Sequence, residues 1–246
     1  MLHYEFIVAQ NPEEAGKLAA DIFQEILLAK PRCVLGLATG STPLPLYREL
    51  IAREKAGQLS FAQARSVNLD EYKGLGPDHP QSYRRFMQEN LFDHISIDPV
   101  NTYVPDGLTR NSQAMCAEYE KKIEALGGVD IQLLGIGHDG HIGFNEPCDF
   151  FPAATHEVEL EEITRQANQR FFDSIAEVPT AAYTMGIGTV MSARQILLMA
   201  TGADKADILS RSLLGPVTPQ VPASILQFHP HVTVIADQAA ASLIRR

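Results

Sequence analysis

The chain is short of cysteine, of positive charge and of long apolar runs, and each shortage closes off a class of function. Three cysteines, Cys33, Cys116 and Cys148, with no CxxC pair, do not make a disulfide framework or a zinc ribbon. That usage fits a reducing cytoplasm, where the protein is expected to reside. Lysine and arginine number 20 against 30 aspartates and glutamates, a formal net charge of −10. Such a balance argues against a nucleic-acid partner, because phosphate backbones select basic surfaces. A nest of amides with one or two basic residues still suffices for one small phosphate. No apolar run reaches membrane-spanning length, so no membrane role is expected. The first residues, MLHYEFIVAQ, have neither the basic region nor the apolar stretch of an export signal. Internal repeats, low-complexity tracts and a convincing linker are missing too.

What is present is the composition of a packed protein. The 246 residues are 45% hydrophobic and 20% charged, enough for one large α/β domain or two small ones. Strand-like runs at Tyr4–Val8, Cys33–Ala38, Ser66–Leu69, Ile131–Gly135, Ala182–Gly186, Gln195–Ala200 and Val232–Ala236 alternate with helical patterns. The clearest helix opens at Asn11, an N-cap, followed by Pro12 at the first helical position and by Glu13 and Glu14 at the positive end of the helix dipole. Its apolar residues Ala15, Leu18, Ala19, Ile22, Phe23, Ile26 and Leu27 recur at helical spacing. Further helices are expected over Pro45–Lys55, Ser82–His94, Ser112–Leu126 and Ala203–Leu214. The alternation predicts an α/β fold, doubly wound, with a mostly parallel sheet covered by helices on both faces (Rossmann-like), as a single domain over 1–246. The stretch 148–180 is polar, carries Glu157, Glu159, Glu161 and Glu162, and is expected to act as a mobile lid.

Three segments carry chemistry. Gly135-Ile136-Gly137-His138-Asp139-Gly140-His141-Ile142-Gly143-Phe144-Asn145-Glu146-Pro147 follows the apolar run Ile131–Leu134. A core strand has no use for such a loop, whereas ligands of open α/β sheets bind at the carboxyl ends of strands. Its glycines let the backbone approach a ligand closely. His141, oriented by a carboxylate such as Asp139 or Glu146, can exchange protons near neutral pH. His138 and His141 are three apart, but no HExxH spacing or third ligand accompanies them, so a catalytic metal is not expected. The second segment, Leu35 to Pro43, ends in Thr39-Gly40-Ser41-Thr42, a turn from strand to helix where an anion is favoured; it is not a Walker loop. The third, Asn68-Leu69-Asp70-Glu71-Tyr72, places adjacent acids at a strand end, as a general base requires. In a parallel sheet all three open onto one edge. Two isolated cations, Arg170 and Lys205, are candidate anion binders.

ATGSTP at 38–43, NLDEY at 68–72 and GIGHDGHIGFNEP at 135–147 together resemble the glucosamine-6-phosphate deaminase (glucosamine-6-phosphate isomerase) family, in its short form. The likeness runs from the first strand to the last and includes Pro80-Gln81-Ser82-Tyr83. It implies conversion of glucosamine 6-phosphate and water to fructose 6-phosphate and ammonia, in amino-sugar catabolism, with no cofactor and no metal. It also implies roles: Asp70 as the base moving a proton between C2 and C1, His141 assisting ring opening, and Asp139 and Glu146 orienting His141. Thr39, Gly40, Ser41, Thr42 and Gly137 then bind the substrate, and Arg170 and Lys205 hold its phosphate. The expected partner is a small sugar phosphate, with a monomer favoured over a homo-oligomer. Where allosteric members place hydroxyl and basic residues, this chain has Cys148-Asp149-Phe150-Phe151 with His156 and Val158 downstream, and it stops at Arg246. Little or no activation by N-acetylglucosamine 6-phosphate is therefore expected. The competing readings are a 6-phosphogluconolactonase-like hydrolase, a galactosamine-6-phosphate deaminase and a non-catalytic sugar-phosphate sensor.

Overall fold

The computed structural model describes residues 4–169 and 172–244. Ten strands occur among them: β1 (Tyr4–Ala9), β2 (Val34–Leu37), β3 (Arg65–Asn68), β4 (Asp70–Tyr72), β5 (Thr102–Tyr103), β6 (Ile131–Leu134), β7 (His156–Glu159), β8 (Ala181–Thr184), β9 (Gln195–Ala200) and β10 (Val232–Asp237). The α-helices are α1 (Pro12–Ala29), α2 (Leu44–Lys55), α3 (Tyr83–Asn90), α4 (Ser112–Ala125), α5 (Glu162–Asn168), α6 (Ile187–Met191) and α7 (Ala206–Leu214). Helix α1 starts as its sequence requires: the Asn11 side chain accepts the Glu14 amide at 2.9 Å, with Pro12 in the first turn.

Seven strands form one sheet in the order β1-β10-β9-β6-β2-β3-β5, and every neighbouring pair is parallel. All residues of β2 and β6 are buried. Successive strand residues point to opposite faces, so unbroken burial means that both faces are covered. The sheet is therefore the doubly wound, Rossmann-like α/β layer that the alternation of runs predicts. From β2 the chain winds outward to β3 and β5, and from β6 it winds the other way to β9. The order reverses between β2 and β6, and the carboxyl ends flanking such a switch point leave a crevice. The loops that carry Thr39–Thr42 and 135–147 flank it.

The segment Ala182–Gly186 does not join this sheet. It forms β8, the centre of a separate antiparallel sheet in the order β4-β8-β7. The chain crosses between sheets at Leu69, whose amide reaches Leu37 O at 3.1 Å and whose carbonyl accepts the Met185 amide at 2.7 Å. Asp70 then pairs with Thr184. The polar stretch beyond Cys148 contains β7 and α5. Its strand is half exposed, with every second residue outward, so its charged residues hide it from a search for apolar runs. The Ser82–His94 helix breaks at Leu91 into a short 3₁₀ turn, Phe92–His94, and the Ala203–Leu214 helix opens with another, Ala203–Lys205.

Candidate functional site

A cavity of about 530 Å³ opens over the switch point. Thr39, Gly40, Ser41 and Thr42 line it from the turn after β2, Asp70 from β4, Gly137, His138 and His141 from the loop after β6, and Lys205 from the turn after β9. Four separate strand ends thus meet in one space: the three that sequence reasoning put on one edge, and the turn carrying Lys205. Asp139 and Glu146 are not among the residues that line the cavity. Arg170 lies outside the described residues.

The turn after β2 is shaped by Gly40, at φ 95°, a conformation that penalises any residue with a Cβ. Its strand end is pinned by the buried Tyr47 of α2, whose hydroxyl donates to Ala38 O and accepts the Ala38 amide at 3.3 Å. The turn feeds directly into the N-terminus of α2, where free amides and the helix dipole favour an anion.

The loop after β6 is folded around His141. Its Nδ1 lies 2.8 Å from Asp139 Oδ1, and the same oxygen accepts the His141 amide at 3.0 Å. The Gly137 amide donates to His141 O at 2.9 Å, and a Cβ on Gly137 would lie 2.2 Å from the ring's Cε1. Glycine at 137 therefore makes room for the imidazole. With Nδ1 engaged, Nε2 is the ring nitrogen left for proton exchange. Burial pushes the Asp139 carboxyl up, but its bonds and attraction to His141 outweigh this and leave it below the usual range. Glu146 is pushed up by burial, against the Thr164 side chain, the Glu161 amide at 3.0 Å and the charge of His141. Two carboxylates beside one imidazole are thus tuned in opposite directions.

Asp70 is 6% exposed, and burial first and Glu71 second push its carboxyl up to about 8. Gly143, at φ 60°, brings the 135–147 loop against it: a Cβ there would lie 2.7 Å from Thr184 Oγ1 and 3.6 Å from Asp70 Oδ2. Thr184 Oγ1 also accepts the Phe144 amide at 3.0 Å, locking the loop to the small sheet. The neighbouring acid does different work. Glu71 points the other way along β4 and accepts the amides of Tyr72, Tyr83 and Arg84 at 2.8, 2.9 and 2.9 Å. It docks the start of α3, whose Ser82 cap accepts the Arg85 amide at 3.0 Å. Burial pushes Glu71 up to about 7 against the pull of those three amides.

Sequence reasoning missed this docking and the aromatic wall that it creates. Tyr83 stacks on Phe144 at 6.0 Å, and Tyr72 contacts Tyr83, Phe144 and Phe172 at 4.8, 5.6 and 6.0 Å. Tyr72, Tyr83 and Phe144 were visible inside their motifs, yet nothing local marked them as neighbours. His138 and His141 turn to different carboxylates, His138 Nε2 lying 2.7 Å from Asp204 Oδ2. Among the described residues no group of three or more His, Cys, Asp and Glu side chains comes together as a metal site would require.

Comparison with known proteins agrees with the motifs. The model of a family described as glucosamine-6-phosphate isomerases/6-phosphogluconolactonase matches residues 9–235. A glucosamine-6-phosphate deaminase of Lachnoclostridium phytofermentans is 55% identical over 229 residues, covering 93% of this chain and 97% of its own. One from Geobacillus sp. is 53% identical over 240 residues, covering 98% and 96%. A solved structure described as a monomeric glucosamine-6-phosphate deaminase superposes with a TM-score of 0.95 at 46% identity, covering 97% of this chain and 99% of its own. A 6-phosphogluconolactonase from Trypanosoma cruzi shares the fold, with a TM-score of 0.77, at 21% identity.

Proposed function

The chain belongs to the glucosamine-6-phosphate isomerase/6-phosphogluconolactonase family, and from that premise we propose that it converts glucosamine 6-phosphate and water to fructose 6-phosphate and ammonia. The observation that carries this reading is the meeting in one cavity of a buried carboxylate, Asp70, with a carboxylate-oriented imidazole, His141. Isomerisation of an amino aldose needs such a pair. His141, through Nε2, moves the proton that opens the sugar ring, steadied by Asp139 and Glu146. Asp70 takes the proton from C2 and returns it at C1 through an enol-type intermediate. Its raised proton affinity suits a base that must attack a weakly acidic C–H. Water then adds to the C2 imine and ammonia leaves, so the atoms balance without any redox cofactor.

The phosphate is assigned to the Thr39–Thr42 turn with Lys205 and Arg170, and Gly137 sits at the substrate's edge. A phosphate fixed at the remote end keeps C1 and C2 over Asp70. The segment 148–180 is assigned as a lid, since Thr164, Asn168 and Phe172 already form one cavity wall and closure would protect the intermediate from water. No helix among the described residues is long and apolar enough to cross a membrane; a cytoplasmic monomer acting in amino-sugar catabolism accompanies this reading, and light scattering that gave a multiple of the chain mass would remove the monomer from it.

The deciding assay measures ammonia and fructose 6-phosphate from glucosamine 6-phosphate in the presence of chelator. Galactosamine 6-phosphate and 6-phosphogluconolactone run alongside. Both products from the glucosamine substrate, with rates unmoved by N-acetylglucosamine 6-phosphate, are expected. Hydrolysis of the lactone without ammonia from either amino sugar would overturn the proposal in favour of a lactonase.

A further inference from the structure

At the mouth of the cavity, the Asp204 carboxylate lies 4.0 Å from Lys205 Nζ. Both residues line the cavity, together with His138. Under the proposed function, Lys205 meets a phosphate carrying about two negative charges, and a fixed carboxylate beside it works against that binding. Gly202, at φ 98°, leaves space that Asp204 fills: a Cβ at 202 would lie 2.5 Å from Asp204 Oδ1. Gly202 is held in turn, its amide lying 3.1 and 3.0 Å from the two oxygens of the buried Asp237. Asp204 also stays ionised, since its bond with His138 holds its carboxyl below the usual range.

We infer that His138 is a positioning residue for phosphate binding, which masks Asp204 so that the Lys205 side of the cavity accepts a phosphate monoester. His138 Nε2 sits 2.7 Å from Asp204 Oδ2, the same oxygen that faces Lys205. The imidazole thus occupies the lone pairs that would otherwise compete with phosphate for the ammonium. Both partners are more than half exposed, 60% and 58%, so the pair adds little to folding. Its consequence is the field at Lys205. The contact spans 66 positions of sequence and joins the loop after β6 to the turn after β9. This assignment rests on the reading of Lys205 as a phosphate ligand.

Masking and simple tethering differ in sign. A tether is broken equally from either end, whereas masking is needed only while the carboxylate is there. Steady-state kinetics with glucosamine 6-phosphate, and competitive inhibition by inorganic phosphate, are measured for His138→Ala, Asp204→Asn, the double variant and Lys205→Ala. His138→Ala is expected to raise KM and the phosphate inhibition constant about fivefold, with the smaller part of the effect in kcat. Asp204→Asn leaves both constants equal or lower, and the double variant returns them to within about twofold of the parent. Asp204→Asn weakening binding as much as His138→Ala would overturn masking in favour of a tether, as would a double variant that is not rescued. If Lys205→Ala raises KM while His138→Ala does not, this inference alone falls. If Lys205→Ala leaves KM and phosphate inhibition unchanged, the phosphate assignment falls, and masking falls with it.

Discussion

The two sheets of this protein solve different problems. The seven-stranded sheet is aliphatic and buried at its centre. Leu35, Leu37, Leu133, Leu197, Leu198, Val234 and Ile235 are at most 1% exposed, and its strands are held by consecutive parallel ladders. It presents the turns that are proposed to hold the phosphate. The three-stranded sheet is short, antiparallel and built on aromatic contacts. Tyr72, Phe144, Leu160 and Ala182 form its own small cluster, with Leu75, Tyr83, Val158 and Phe172 packed around it. It carries Asp70. Under the proposed function the buried sheet would fix the remote end of the ligand, while the proposed base, Asp70, sits on a smaller unit that shares a wall with the proposed lid. Stability and chemistry are therefore expected to be separable by mutation.

The largest effect should come from Asp70→Asn, which is expected to lower kcat by about 1,000-fold. The same change should not harm the fold. Burial raises the folded-state pKa of Asp70 to about 8, above the roughly 3.9 of an unfolded aspartate. The folded chain then holds that proton more tightly, and stability is lost as pH rises from the unfolded value through the folded one. At pH 8 the asparagine variant should melt at or above the parent temperature, and near pH 3 the difference should vanish. A variant that retains turnover, or that melts well below the parent at pH 8, would show that Asp70 is a structural acid.

The middle effect contrasts the two cores. Leu197→Ala, in the centre of the large sheet, should cost about 2–5 kcal/mol and lower Tm by roughly 5–15 °C, with KM and kcat near parental at low temperature. Leu160→Ala, in the aromatic cluster, should lower Tm less but raise KM and expose 148–180 to limited proteolysis. Equal Tm losses with unchanged KM in both variants would erase the distinction between the sheets.

The smallest effect should come from the exposed ion pair between Lys73 and Glu157 at 2.6 Å, which ties the end of β4 to β7. Solvent screens such pairs. Lys73→Ala should leave Tm within measurement error, and a clear loss on differential scanning calorimetry would mean that the small sheet depends on its rim charges.

Much of this was legible in the chain, and the reason is local. Asn11 and Pro12 announced α1 because capping involves residues three apart. The buried strands were readable as apolar runs because both faces of a parallel sheet are covered. Asp70, His141 and the Thr39–Thr42 turn stood out because each ends such a run, where a doubly wound sheet leaves its ligand site. β7 was not legible, since its wet face breaks the run with Glu157 and Glu159. Nor was the transfer of Ala181–Thr184 to a second sheet, because an apolar run looks the same in either.

By itself, then, the sequence determined most strands of the large sheet, where α1 begins and which loops hold polar chemistry, for these follow from periodicity and caps within a few residues. Only the tertiary structure decided that Glu71 caps α3 while Asp70 faces the cavity, and that Tyr72, Tyr83, Phe144 and Phe172 make one wall. It alone placed His138 on Asp204, 66 residues away. Such contacts depend on how distant elements pack, and no local pattern encodes a partner that the chain meets only after it has folded.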